Sequence, residues 1–261
     1  MGPAPATSYS PLRIEIDGRR ANAEQLWSTV SAYGHFTAMQ VRGGRTRGLA
    51  LHLDRLEAAN RELFDVGLDR ERVRGLILRA LRGLEDASVR VYVFESGEEP
   101  AIMVTVKQPG GVSTPQRLQS VRYQRPDAHL KHLATDQGYY SRLARRNGFD
   151  DALLTGCDGI VSEVAIANIG FFEGSGVVWP NAPLLRGITM QLLERKLPEF
   201  GVTSRHATVR LGDIASFEGA FLSNARGVAV VSQVDDITVP MQAERIKTIV
   251  DAYASVSWDT I

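Results

Sequence analysis

Cysteine occurs once in the 261 residues, as Cys157, and lysine four times, as Lys107, Lys131, Lys196 and Lys247. A single thiol excludes an intrachain disulfide and a cysteine-rich zinc site. It predicts a reduced, cytoplasmic protein. No apolar run approaches the ~20 residues needed to span a bilayer core. Met1 to Ser10 has neither a basic region nor an apolar core, which predicts that it is not a secretory signal. Pro3 and Ala6 break the myristoylation pattern that Gly2 would open. Neither sign of charge is in excess, with 30 basic and 30 acidic residues. That balance excludes a global field for nucleic acid or an anionic membrane. Dinucleotide-binding G-x-G-x-x-G, the P-loop and the G-x-S-x-G elbow are all missing.

What is there suits a globular enzyme. Hydrophobic residues make up 44% of the chain, enough for one large or two modest cores. Pro11 to Asp17 alternates like a strand, and His35 to Val41 predicts another, followed by a turn at Gly43-Gly44 and a return strand at Arg47 to Leu51. Ala21 to Ala32 reads as helix or loop. Leu53, Leu56, Leu63, Phe64 and Leu68 share one helical face. Val73, Leu76, Ile77, Ala80, Leu81 and Leu84 share another. Two alternating segments, Val89–Val93 and Ile102–Val106, predict a hairpin around the acidic loop Glu95 to Pro100. Gln108 to Pro115 concentrates turn formers and marks a boundary: a small α/β domain over 1–110, a linker over 111–117 and a larger domain over 118–261.

The second half predicts strands at Leu118–Tyr123, Asp151–Thr155, within Ile160–Phe172, at Gly176–Trp179, Ala207–Leu211, Ala220–Leu222, Val228–Val231 and Ile237–Val239. Helices are expected over Gly138–Asn147, capped by Gly148, from Gly187 through Leu197, and over Gln242–Tyr253.

Chemistry concentrates at a few positions. Lys196 and Lys247 fall on predicted helix surfaces and Lys107 precedes the linker. Lys131 instead sits between His129 and His132 at a strand-to-helix transition. Glu163 is the one acid in the apolar stretch Ile160–Phe172, so it faces inward and needs a partner. Gly187-Ile188-Thr189 opens a predicted helix, whose unpaired N–H groups and dipole suit an anion. His129 and His132 have metal-like spacing but no accompanying Cys or acidic cluster, so no metal is predicted.

Five segments in order resemble the class IV aminotransferase family. They are His52-Leu53-Asp54-Arg55-Leu56, Leu130-Lys131-His132-Leu133, Gly159-Ile160-Val161-Ser162-Glu163 ending in Asn168, Leu185-Arg186-Gly187-Ile188-Thr189, and Phe221-Leu222-Ser223-Asn224-Ala225. This fold type IV family includes branched-chain and D-amino-acid aminotransferases and aminodeoxychorismate lyase. The resemblance implies a two-domain α/β fold, with a small first domain and a larger barrel-like second one. It implies pyridoxal 5'-phosphate in the cleft between them and a homodimer. Lys131 would hold the cofactor as a Schiff base, the role a primary amine can fill. Glu163 would keep the ring nitrogen protonated. Arg55, Gly187, Ile188, Thr189, Asn224 and Ala225, with Ser223 close behind, would bind its phosphate.

The implied activity is amino-group transfer between an amino donor and a keto acid. Aminodeoxychorismate lyase and a non-catalytic cofactor-binding protein are the alternatives. The family's D-amino-acid enzymes place an R-x-H pair after the first-domain hairpin. Here Glu95 to Pro100 is acidic and holds neither Arg nor His, which argues against that subgroup. Arg90 resembles a substrate-side arginine of the branched-chain enzymes, with an exposed strand arginine as the competing reading. Lys131-His132-Leu133 resembles the lyases, which continue with Asn where this chain has Ala134.

Overall fold

The computed structural model describes residues 11–29, 33–97, 99–111 and 115–261. The predicted tail over 1–10 and the middle of the predicted linker, residues 112–114, lie outside the described residues. The chain forms two compact units, Met1–Gly110 together with Trp258–Ile261, and Gly111–Ser257.

The first unit contains β1 (Arg13–Ile16), β2 (Arg19–Arg20), α1 (Ala23–Ser28), β3 (Gly34–Val41), β4 (Arg45–Thr46), α2 (Leu49–Phe64), α3 (Arg70–Ala80), β5 (Ala87–Phe94) and β6 (Ala101–Lys107). Its five-stranded sheet has the order β2-β1-β6-β5-β3, antiparallel throughout. Alternation puts Met39, Val41, Val89, Val91, Val93, Val104 and Val106 on one face. Leu53 and Leu56 of α2 and Val73 and Ile77 of α3 pack there at helical spacing. The ambiguous segment after Ala21 is helical because Asn22 and Gln25 form a reciprocal cap: Gln25 N–H donates to Asn22 Oδ1 at 2.8 Å, and Asn22 N–H to Gln25 Oε1 at 3.2 Å.

The expected return strand at 47–51 is not formed. Pairing stops at Thr46, Gly48 turns the chain at φ +70°, and α2 begins at Leu49. Gly48 offers no side chain to cap that helix.

The second unit contains β7 (Gln116–Arg122), α4 (Gln137–Arg146), β8 (Asp151–Thr155), β9 (Val161–Val164), β10 (Asn168–Glu173), β11 (Gly176–Pro180), α5 (Ile188–Lys196), β12 (Thr203–Ala207), β13 (Gly219–Asn224), β14 (Gly227–Val234), β15 (Ile237–Thr238) and α6 (Ala243–Ala254). The strands follow the order β12-β11-β10-β13-β14-β7-β8-β9, with β15 on β14. The sheet curls back on itself. Val164 and Ala167 exchange backbone bonds across the turn between β9 and β10, at 2.8 and 3.1 Å, and Val161 N–H donates to Val209 O at 2.8 Å. Leu118, Leu153, Ile169, Phe171, Leu222 and Val231 fill the inside. Phe172, Trp179 and Phe221 point the other way, onto Met190 and Leu193 of α5 and Ile249 of α6. This two-part α/β architecture with a barrel-like second half is the fold expected.

Two details depart from expectation. The strand expected at 207–211 lies earlier, as β12, and residues 211–216 form a 3-10 turn. Asp213 stabilises that turn by accepting from Arg210 N–H at 3.2 Å. The segment Trp258–Ile261, placed by the sequence reading with the second half, packs with the first unit. There β16 (Asp259–Thr260) pairs with β4, Ile261 is buried in the core, and the Arg47 guanidinium lies 4.1 Å from the Trp258 ring centroid. Asp259 Oδ2 accepts from Leu49 N–H at 2.8 Å and so serves as the cap that Gly48 lacks.

Candidate active site

Lys131 lies half-buried in the loop joining β7 to α4. That loop is held from within by Arg125, whose side chain is 2% exposed. Its guanidinium makes three kinds of contact. Nε donates to Glu163 Oε1 at 2.8 Å, Nη1 to Leu130 O at 2.9 Å, and Nη2 to Ala128 O. The planar fork of arginine permits this combination, since its donors diverge in fixed directions.

Glu163 sits near the end of β9 and Asn168 opens β10. The tight turn between the strands brings both side chains to one end of the barrel, and both grip the same loop. Leu185 N–H donates to Glu163 Oε2 at 3.3 Å. Asn168 Nδ2 donates to Leu185 O at 2.7 Å, and Gly187 N–H donates to Asn168 Oδ1 at 3.0 Å. This explains the spacing from Glu163 to Asn168. It also explains Gly187, where a Cβ would lie 2.0 Å from Asn168 Oδ1.

Burial pushes the Glu163 carboxyl above its ordinary range. The Arg125 charge and hydrogen bond, the Leu185 N–H and the Lys131 charge all pull it back down. Lys131 therefore lies close enough to Glu163 to act on it electrostatically.

The Gly187 clamp places the start of α5. Gly187 is an extended N-cap without a side-chain bond, and Ile188, Thr189 and Met190 N–H have no carbonyl four residues back inside the helix. Thr189 Oγ1 donates to Asn224 O at 2.8 Å, tying the helix start to the end of β13. Beside that tie, Ser223 Oγ is buried and has no hydrogen-bond partner among the described residues. The Asn224 side chain is already engaged, donating to Ile166 O at 3.3 Å and accepting from Arg226 N–H at 2.8 Å. Ala225 is half-buried in the same turn.

Lys131, Glu163, Gly187, Ile188, Thr189, Asn224 and Ala225 thus all belong to the second unit. Arg55 and Arg90 belong to the first. Arg55 is half-buried in the second turn of α2. A hydrogen bond of 2.7 Å between His52 Nδ1 and Thr37 Oγ1 ties that helix to β3. Arg90 is exposed on β5, donates to Tyr92 OH at 3.3 Å and lies 5.7 Å from the centroid of the Phe36 ring. Of the acidic loop 95–100, Glu98 lies outside the described residues. Among the described residues no group of three His, Cys, Asp or Glu side chains is placed to hold a metal. His132 Nδ1 accepts from Ala134 N–H at 3.0 Å instead.

Sequence reasoning missed Arg125, the clamping role of Asn168 and the isolation of the Ser223 hydroxyl. Arg125 stands in a polar, Pro-containing segment that reads as solvent-exposed loop. Its one signal was the expectation that Glu163 needs a buried partner.

Residues 34–234 match the family model for amino-transferase class IV, and the chain belongs to that family. A stretch of 96 residues is 31% identical to a probable branched-chain-amino-acid aminotransferase of Rickettsia felis. That stretch is 36% of this chain and 32% of that protein, so the match spans about a third of the relative's length. The fold is also similar to that of a hypothetical aminotransferase from Mycobacterium tuberculosis solved in its PLP-bound form, with a TM-score of 0.80, 21% identity and coverage of 93% of this chain and 98% of that one. A putative 4-amino-4-deoxychorismate lyase from Legionella pneumophila gives a TM-score of 0.80 at 19% identity, covering 87% of this chain and 92% of that one. Among the described residues, no helix is long and apolar enough to cross a membrane.

Proposed function

We propose that this chain is a pyridoxal-phosphate-dependent transaminase, moving an amino group between an amino donor and a keto acid. The observation that carries the reading is the buried Glu163 carboxylate, fixed by Arg125 and Leu185 and acted on by the charge of Lys131. The residues fit the cofactor. An amine, a buried carboxylate, a helix start whose first N–H groups lack intrahelical acceptors and a buried hydroxyl with no partner among the described residues are four kinds of group that suit it.

When bound, the cofactor supplies a carbonyl that condenses with amines and an electron-poor ring that withdraws electrons from the substrate's α-carbon. Lys131 Nζ would hold it, and once released would carry the proton from the substrate α-carbon to the cofactor carbon that bore the carbonyl. Glu163 keeps a proton on the ring nitrogen. Ile188 and Thr189 N–H, the Ser223 hydroxyl and the Asn224–Ala225 turn bind the phosphate, with Arg55 as its cation. Gly187 fixes the helix start. Two features favour branched-chain L-amino acids or simple amines over D-alanine and D-glutamate: the acidic loop Glu95 to Pro100, and Arg90 as the cation we nominate for the substrate carboxylate. The chain works as a homodimer in the cytoplasm, in keeping with the family resemblance and the single cysteine.

Purified protein should show an absorbance band that bleaches with an amino donor and recovers with a keto acid. Borohydride reduction and peptide mapping should then place a pyridoxyl group on Lys131. Label on Lys107, Lys196 or Lys247 would refute the assignment. Glu163→Gln should retain the cofactor but slow proton transfer, whereas Arg55→Ala should weaken cofactor binding by roughly 1.5–3 kcal/mol, the worth of a charge-assisted contact. The second reading is the lyase, favoured by Lys131-His132-Leu133. Pyruvate release from aminodeoxychorismate would select it.

A further inference from the structure

We infer that Arg125 is a positioning residue for the amino-transfer site, because one guanidinium holds both the Glu163 carboxylate and the backbone that carries Lys131. The inference rests on the reading of Glu163 and Lys131 given above.

The geometry has two arms. One is the 2.8 Å bond from Nε to Glu163 Oε1. The other is the pair of bonds to Leu130 O and Ala128 O, the first of these directly preceding Lys131. Arg125 and Glu163 are nearly shut off from solvent, with side-chain exposures of 2% and 8%. The two residues are 38 apart in sequence, and the guanidinium joins the loop after β7 directly to the side chain on β9.

Two consequences follow for the chemistry. First, a carboxylate buried this deeply reverts to the neutral acid unless cations face it, and a neutral acid no longer favours a protonated ring nitrogen. The charged groups acting on Glu163 are Arg125 and Lys131. Lys131 is the group that must give up its charge to react, so Arg125 is the permanent counter-charge. Second, Arg125 occupies Oε1 from one side and Leu185 N–H contacts Oε2, while each oxygen retains a further lone pair. Glu163 is therefore oriented without being saturated. Lysine cannot reproduce this, because a single ammonium cannot span the carboxylate and two carbonyls in the directions set by a planar fork.

The test uses Arg125→Lys and Arg125→Met beside Glu163→Gln, with two readouts that need no substrate. In apoprotein labelled with 13C at the glutamate carboxyl carbon, NMR follows the Glu163 titration, its signal assigned by its loss in Glu163→Gln. The midpoint should rise by about one pH unit or more in the Arg125 variants, the size expected when a neighbouring opposite charge is removed or displaced. Pyridoxal phosphate added to apoprotein should attach to Lys131 about ten- to a hundredfold more slowly in Arg125→Lys, the usual loss when an orienting partner behind a reactive group is removed. If Arg125→Met does not fold, Arg125→Lys, which keeps a cation, carries both measurements. A wild-type midpoint or a wild-type attachment rate in Arg125→Lys would overturn the inference. Should Glu163→Gln transaminate as wild type does, the reading of Glu163 fails, while the two Arg125 readouts still decide whether Arg125 holds carboxylate and lysine loop together.

Discussion

In the first unit ion pairs stay at the surface, whereas the second takes one into its interior. Arg70 binds Asp54 at 2.8 Å with both side chains about half exposed, 44% and 54%. Arg72 binds Asp17 and Arg74 binds Glu71 in similar settings. Beneath them the core of the first unit is apolar side chains at strand and helix spacing. The second unit has its own apolar cores, yet at one end of the barrel Arg125, Glu163 and Asn168 are all buried and hydrogen-bonded. Exposed pairs contribute little to stability, and a buried pair has no clear advantage over apolar packing of the same volume. The second unit's buried polar group is therefore better explained by what it holds in place than by what it adds to stability.

The comparison breaks most visibly at the apolar end. Leu56→Ala, at a fully buried position between α2 and the sheet, should cost about 2–5 kcal/mol in denaturant unfolding. A smaller loss, with a larger one at the polar clamp, would mean that the first unit is not held by its apolar core. Next comes Gly187→Ala. Its backbone conformation is open to alanine, but the added Cβ forces Asn168 to release the Gly187 N–H. Stability should fall by about 1–3 kcal/mol, the cost of a buried acceptor left without its donor, and cofactor retention in dialysis should fall with it.

A pH titration sharpens the contrast further. Burial raises the Glu163 carboxyl in the folded chain, so the folded state binds its proton more tightly than the unfolded state does. The stability this confers is fully present below the ordinary carboxylate range and is lost as pH rises through the raised folded value. Apoprotein melting temperature should therefore decline across that window more steeply in wild type than in Glu163→Gln, whose amide does not titrate. The buried Asp151 is displaced the same way and contributes equally to both proteins. The smallest effect is expected at the surface. Arg70→Ala should shift the unfolding midpoint least of these variants, and less again at high salt.

Most of the first unit was legible in the sequence because its core follows periodicity. Val73, Leu76, Ile77 and Ala80 announce a helix face, and Val89–Val93 with Ile102–Val106 announce a hairpin. The return strand at 47–51 was misread because an apolar alternating run does not reveal that Gly48 will turn it or that Asp259 will cap the helix. In the second unit the family motifs drew attention to Lys131, Glu163 and Gly187-Ile188-Thr189 as candidates. Asn168 was visible only as the end of a pattern, since its two bonds reach residues 17 and 19 positions away. Arg125 was signalled only indirectly, by the need of Glu163 for a buried partner. Its neighbours are polar, and nothing local distinguishes an arginine that folds inward from one that meets water.

The cap on α2 also has a timetable. Leu49 and Asp259 are 210 residues apart, and Ile261 completes the same apolar core. A helix of this length is marginal by itself in water and needs its packing partners. On the ribosome, α2 and the strands it covers emerge long before Trp258–Ile261 exist, at about 5–20 residues per second. The first unit therefore spends an interval of about ten to forty seconds with Trp258–Ile261 still unmade and α2 uncapped. Throughout that interval the part of the core that Ile261 fills stays open, and synthesis of the whole second unit has to finish before the first is complete.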